Sequence, residues 1–142
     1  MSSLEPSGSI SPVRGVTPFG TFLVFGALMA SLAGVTLVWR GTTLDRIWEL
    51  NPRAYRELAP LGKTPGILFL LLACILATAA VGWFRRRPLG WKLAVAIIVT
   101  QILGDFLNIL RGHVVEGAVG VTIAGVFLYY LTRSKVRALF RN

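Results

Sequence analysis

Trp91–Gly112, WKLAVAIIVTQILGDFLNILRG, is apolar and long enough to cross a bilayer, yet it holds Gln101, Asp105 and Asn108 within its apolar run. A helix spans the hydrocarbon core with about 20 residues. An ionisable side chain kept there is costly and marks either a function or a structural partner. Three further apolar blocks accompany it, Pro18–Trp39, Pro65–Phe84 and Val114–Leu131, and only the Trp91–Gly112 stretch is studded with polar groups.

The chain of 142 residues is the size of one domain. Hydrophobic residues make up 54% and charged residues 15%, against about 25% charge in ordinary soluble domains. The apolar residues come in blocks rather than at a helical or strand period, which excludes an ordinary soluble core. An all-α integral membrane protein is expected, with a four-helix transmembrane bundle over 18–39, 65–84, 91–110 and 114–131. The net charge of +9 does not point to nucleic acid, because the basic residues sit at the ends of the apolar blocks and form no stripe interleaved with aromatics. The single cysteine, Cys74, has no intrachain partner for a disulfide or a Cys-based metal site. In lipid it reads as a buried small hydrophobe rather than a reactive thiol.

Residues 1–17, rich in Ser, Pro and Gly, read as a mobile arm. Pro18 suits a first helical turn. Gly26, Ala30 and Gly34 lay a small-residue groove down one face of that helix, although Gly and Ala are common in membrane helices in any case. Ser31-Leu32-Ala33 loosely resembles a signal-peptide cleavage site, but the arm before it holds only Arg14, and an uncleaved helix is expected. Arg40–Thr64 is the one sizeable loop. Thr42 with Asp45 marks one capped helical start and Asn51-Pro52 a second. Both segments are amphipathic, with Trp48 or Tyr55 on the apolar side, so interfacial anchoring is preferred over a lid across the bundle mouth. Arg85-Arg86-Arg87-Pro88-Leu89-Gly90 reads as a tight basic turn between two interface tryptophans, Trp83 and Trp91. Gly112 suits a left-handed C-cap, and Gly117, Gly120, Ala124 and Gly125 give the fourth helix close-packing surfaces.

Residues 132–142 read as a basic juxtamembrane tail. Nine of the 15 Lys and Arg residues fall in the arm, the Arg85–Lys92 turn and the tail, so the positive-inside rule places those segments and both termini in the cytoplasm. There Arg85, Arg86, Arg87, Arg133, Lys135, Arg137 and Arg141 would meet anionic headgroups, each attraction worth about 1 kcal/mol near the surface.

At 100° per residue, Gln101, Asp105 and Asn108 fall within about 60° of one another on a helix. Asp105 lies about 7–8 Å below the outer boundary at 1.5 Å per residue, shallow enough for water or a basic side chain to reach it. Arg111, Arg40 and Lys63 are basic partners within reach, and His113 and Glu116 complete a polar group at that end of the bundle. Structural glue through interhelical hydrogen bonds, roughly 0.6–2 kcal/mol each, is the leading reading. A proton or ion relay is the next. Asp105, His113 and Glu116 have no recognised metal-ligand spacing, and His113 alone is a poor haem ligand. No nucleophile–base–orienter set, P-loop or dinucleotide loop is present, so no catalytic residue, metal or cofactor is assigned.

LDRIWELNP, RRRPLGWKLA, GDFLN and YYLTRSKVRALF resemble a loose group of uncharacterised small bacterial four-helix membrane proteins, over most of residues 44–140. The resemblance implies a bacterial inner-membrane protein and carries over no activity or site. Three functions stay open: a non-enzymatic module that assembles with itself or another membrane protein, a subunit of a proton, ion or small-solute transporter or channel using the Asp105 cluster, and an enzyme acting on a lipid or quinone.

Overall fold

The structure, a computed structural model, describes residues 16–141. The arm expected over 1–17 lies outside the described residues except for Val16 and Thr17, which open the first helix. In chain order the helices are α1 (Val16–Val38), α2 (Pro52–Leu58), α3 (Thr64–Phe84), α4 (Pro88–Leu110), α5 (Val114–Thr132) and α6 (Ser134–Ala138), with 3₁₀ helices at Thr43–Leu50 and Ala59–Leu61. No strand occurs among the described residues, and α1, α3, α4 and α5 are each long and apolar enough to cross a membrane. The chain is an all-α, four-helix membrane bundle.

The long helices pack in succession, α1 on α3, α3 on α4 and α4 on α5. Without a hydrophobic drive inside lipid, close van der Waals contact must hold such pairs together, and small residues permit it. Gly34 of α1 and Gly66 of α3 bring two backbones together: a Cβ on either would lie 2.9 Å from the other's carbonyl oxygen. The expected groove on α1 is therefore a packing surface, continued by buried Ala30. On α3 the buried ridge is Gly66, Ala73, Leu76, Ala80 and Trp83. Cys74 lies about 100° from Ala73 around the helix and is exposed on the bundle surface, off the face that packs on α1, where a spanning helix meets lipid.

Two further expectations need correction at the α3–α4 turn. Pro88, Leu89 and Gly90 do not close it; they form the first turn of α4, which Pro opens because its missing N–H is not needed there. The reversal is confined to Arg85–Arg87. The Arg86 N–H donates to the Trp83 carbonyl at 3.0 Å and the Arg87 N–H to the Gly82 carbonyl at 2.9 Å, the paired bonds of a Schellman cap. Arg86 takes the left-handed position, φ +52°, normally given to Gly. So sharp a reversal is possible because Gly82 and Gly90 meet backbone to backbone.

Trp83, expected at the lipid interface, is fully buried. Its ring lies 4.7 Å from both Phe19 of α1 and Phe140 of the tail, and its indole N–H donates to the Val16 carbonyl at 2.7 Å. Phe127 of α5 joins Phe19 at 5.5 Å. The tail is thus docked rather than loose: Val136 and Phe140 are buried, and Arg137 lies over Trp91, whose indole N–H donates to the Leu131 carbonyl. One aromatic cluster ties α1, α3, α5 and the tail at this end.

At the opposite end the loop folds onto α1. The Trp48 indole N–H donates to the Thr36 hydroxyl at 3.0 Å, Trp48 packs on Tyr55, and Arg40 donates to the carbonyls of Ala59 and Gly62. Asn51 caps α2 as expected, accepting the Ala54 N–H at 3.1 Å ahead of Pro52. Thr42 and Asp45 pair, but the first segment is 3₁₀ and has no side-chain cap; Asp45 instead accepts the N–H of Gly41, ahead of the segment, at 2.7 Å.

Candidate functional site

The α4–α5 hairpin carries the polar residues singled out above. Its turn is a second Schellman cap: the Gly112 N–H donates to the Ile109 carbonyl and the His113 N–H to the Asn108 carbonyl, both at 3.0 Å, with Gly112 at φ +94°. This tight reversal lays the first turns of α5 against the last turns of α4. Gly117 then meets the Asp105 carbonyl and the Ile109 side chain, and Gly120 meets the Asp105 carboxylate itself. Any side chain at Gly120 would overlap that carboxylate.

The six residues expected as one cluster fall into two groups. Gln101 and Asp105 form an intramembrane pair, with the Gln101 amide donating to Oδ2 of Asp105 at 3.1 Å. Asp105 is 8% exposed, whereas Gln101, one turn earlier, remains exposed. Asn108, Arg111, His113 and Glu116 instead line a cleft of about 360 Å³ at the membrane surface, shared with α2. Asp105, His113 and Glu116 do not converge as a metal-binding group among the described residues.

Arg53 of α2 organises the cleft, and sequence reasoning did not select it. Its guanidinium lies 3.1 Å and 3.2 Å from the two ring nitrogens of His113, 3.4 Å from Glu57 and 3.7 Å from Glu116. The partners are exposed, so these ion pairs orient α2 more than they stabilise it. Arg53 and His113 are 60 positions apart, and neither period nor motif links them. Arg40, expected within reach of Asp105, is engaged with the loop carbonyls. Among the described residues no ion pair is made by Asp105, Lys63 or Arg111.

The Asp105 geometry makes a direct prediction. Asn has the same shape and can still accept from Gln101, so Asp105→Asn should change stability by less than about 1 kcal/mol. Asp105→Leu should cost roughly 1–3 kcal/mol by crowding the glycine face of α5. Thermal unfolding in detergent compares the two; equal losses would show that shape is not what Gly120 enforces.

The four spanning helices make this a multi-pass membrane protein, with a Gln101–Asp105 pair on α4 whose carboxylate is closed in by α5, and a charged cleft at one end. Compared with known proteins, the chain matches no family model, no curated protein and no solved structure.

Proposed function

We propose that this is a non-enzymatic assembly module of the bacterial inner membrane, one that associates with a second copy of itself through an open face of α4. The supporting observation is Gln101, an exposed carboxamide in the middle of a membrane-spanning helix. Beside it run Ala96, Thr100 and Gly104, all exposed at intervals of four, and a Cβ on Gly104 would meet nothing within 4 Å. A polar group facing hydrocarbon gains from a hydrogen-bonding partner, and small residues let a second helix come close enough to supply one. A two-fold axis along the membrane normal would bring the same face of a second α4 against it. Arg85, Arg86, Arg87, Arg133, Lys135 and Arg141 would hold the opposite end to anionic headgroups.

The competing reading, a proton, ion or solute pathway through Asp105, gains less from the geometry. The carboxylate is bonded to Gln101 and closed in by Gly120, the setting of a helix-packing contact. Gly104→Leu separates assembly from folding. Leu should leave the monomer fold intact, or stabilise it by up to about 1 kcal/mol through helix propensity, while blocking helix approach. Energy transfer between labelled copies in bilayers should fall to the level of a non-interacting control. Undiminished transfer in Gly104→Leu, or none in the parent protein, would refute this assignment.

A further inference from the structure

Two hollows of opposite character lie at the loop end of the bundle, and α2 contributes to both. The first is the charged cleft, reached by Arg53 and Glu57 of α2 and by Asn108, Arg111, His113 and Glu116 of the α4–α5 turn. The second is an apolar groove of about 560 Å³ between Leu58 and Leu61 on one side and Thr64, Leu68 and Leu72 of α3 on the other. Glu57 and Leu58 are consecutive, so α2 turns a carboxylate to one hollow and an aliphatic side chain to the other. From Thr64 to Leu72 the groove follows α3 for about 12 Å at 1.5 Å per residue, from the headgroup level into the hydrocarbon.

The groups of the cleft are unequally satisfied. Arg53 is engaged by His113, Glu57 and Glu116. Among the described residues, the Arg111 guanidinium and the Asn108 side-chain amide have no partner. These are N–H donors that suit a phosphate, and a guanidinium matches phosphate geometry in particular. The Glu57 and Glu116 side chains are 69% and 70% exposed, open to a cation. Arg53 and Arg111 line the cleft together with Glu57 and Glu116, a charge balance that favours a zwitterion over an anion. We infer that the cleft and groove together bind one glycerophospholipid whose headgroup pairs a phosphate with a primary ammonium. The phosphate lies on Arg111 and Asn108, the ammonium on Glu57 and Glu116, and an acyl chain in the Leu58–Leu72 groove. Asn108 and Arg111 lie at the loop end of α4, beyond Gly104, the last residue of the face assigned to self-association.

Native mass spectrometry of the full-length protein, with phosphatidylethanolamine, phosphatidylglycerol and phosphatidylcholine of identical acyl chains, tests the site. The ethanolamine lipid should be retained several-fold over the other two. Arg111→Gln should lower its retention about tenfold, and Arg111→Lys should restore part of it. Glu57→Gln combined with Glu116→Gln should erase the preference over phosphatidylglycerol. Leu58→Asn with Leu61→Asn should weaken retention of all three lipids. Water-soluble glycerophosphoethanolamine should compete poorly, since it lacks the chain. Thermal unfolding verifies that each variant is folded; Arg111 has no partner to lose among the described residues, so its substitution isolates binding from stability. Equal retention of the three lipids, preference for phosphatidylglycerol, an unchanged Arg111→Gln variant, or competition by the soluble headgroup as strong as by the lipid would each overturn the inference.

Discussion

Gly90→Ala is expected to destabilise the bundle by roughly 3 kcal/mol, the upper end of the cost of overpacking. The added methyl would overlap the Gly82 carbonyl carbon and the Trp83 nitrogen. These are backbone atoms, and they cannot rotate aside as a side-chain tip can. Relief requires α3 and α4 to separate, and the Arg85–Arg87 reversal is too short to absorb the shift. Gly82→Ala should behave similarly, since its methyl would lie 2.7 Å from the Gly90 Cα. Gly104→Ala is the control on the same helix: its methyl meets nothing, so it should be neutral or mildly stabilising. Unfolding of the three variants in mixed micelles reads the difference. Equal stability of Gly90→Ala and Gly104→Ala would show that α3 and α4 do not meet backbone to backbone.

Trp83→Ala should cost about 3 kcal/mol, at the lower end for deleting a large buried aromatic. Lipid tails are as apolar as this core, so lost contacts rather than transfer from water set the cost. The substitution removes the ring between Phe19 and Phe140 and leaves the Val16 carbonyl without its indole donor. Because Phe140 anchors the tail, the damage should also be local. Trypsin cleavage at Arg133, Lys135 and Arg137 should accelerate about tenfold under conditions where the bundle stays folded. Trp83→Phe keeps a ring and loses only the hydrogen bond, so its cost should be nearer 1 kcal/mol. A tail cut no faster in Trp83→Ala than in the parent protein would mean that Trp83 does not hold it.

The helical architecture was legible because length and apolar composition alone decide whether a helix can span a bilayer. The caps at Asn51 and Gly112 were legible for a similar reason, since each rests on the intrinsic conformational preference of one residue. Long-range packing was not. Trp83 and Trp91 carry the residue type of interface anchors, and nothing in their neighbourhoods announces that Phe19 and Phe140 enclose one and Leu131 accepts from the other. Whether Cys74 faces a neighbouring helix or lipid was not legible, because it depends on which face of α3 meets α1, a choice made at Gly34 and Gly66. The polar stripe was read as one cluster because 100° spacing orders side chains around a helix and says little about what lies opposite. Gly117 and Gly120 close over Asp105 and leave Gln101 outside, while the Schellman turn carries His113 and Glu116 to the surface, where Arg53 meets them. Arg53 could be found only from the folded chain.

Association of two copies through the exposed face of α4 is read out by cysteine cross-linking along that helix in native membranes. In a Cys74→Ala background, single cysteines at Ala96, Thr100 and Gly104 are oxidised and compared with cysteines at Val99 and Phe106, which are exposed on the flank of α4 farthest from Gln101. Disulfide-linked dimers at the first three positions, with little product at Val99 and Phe106, are the predicted result. Cross-linking that is absent throughout, or equally efficient at all five positions, would contradict it.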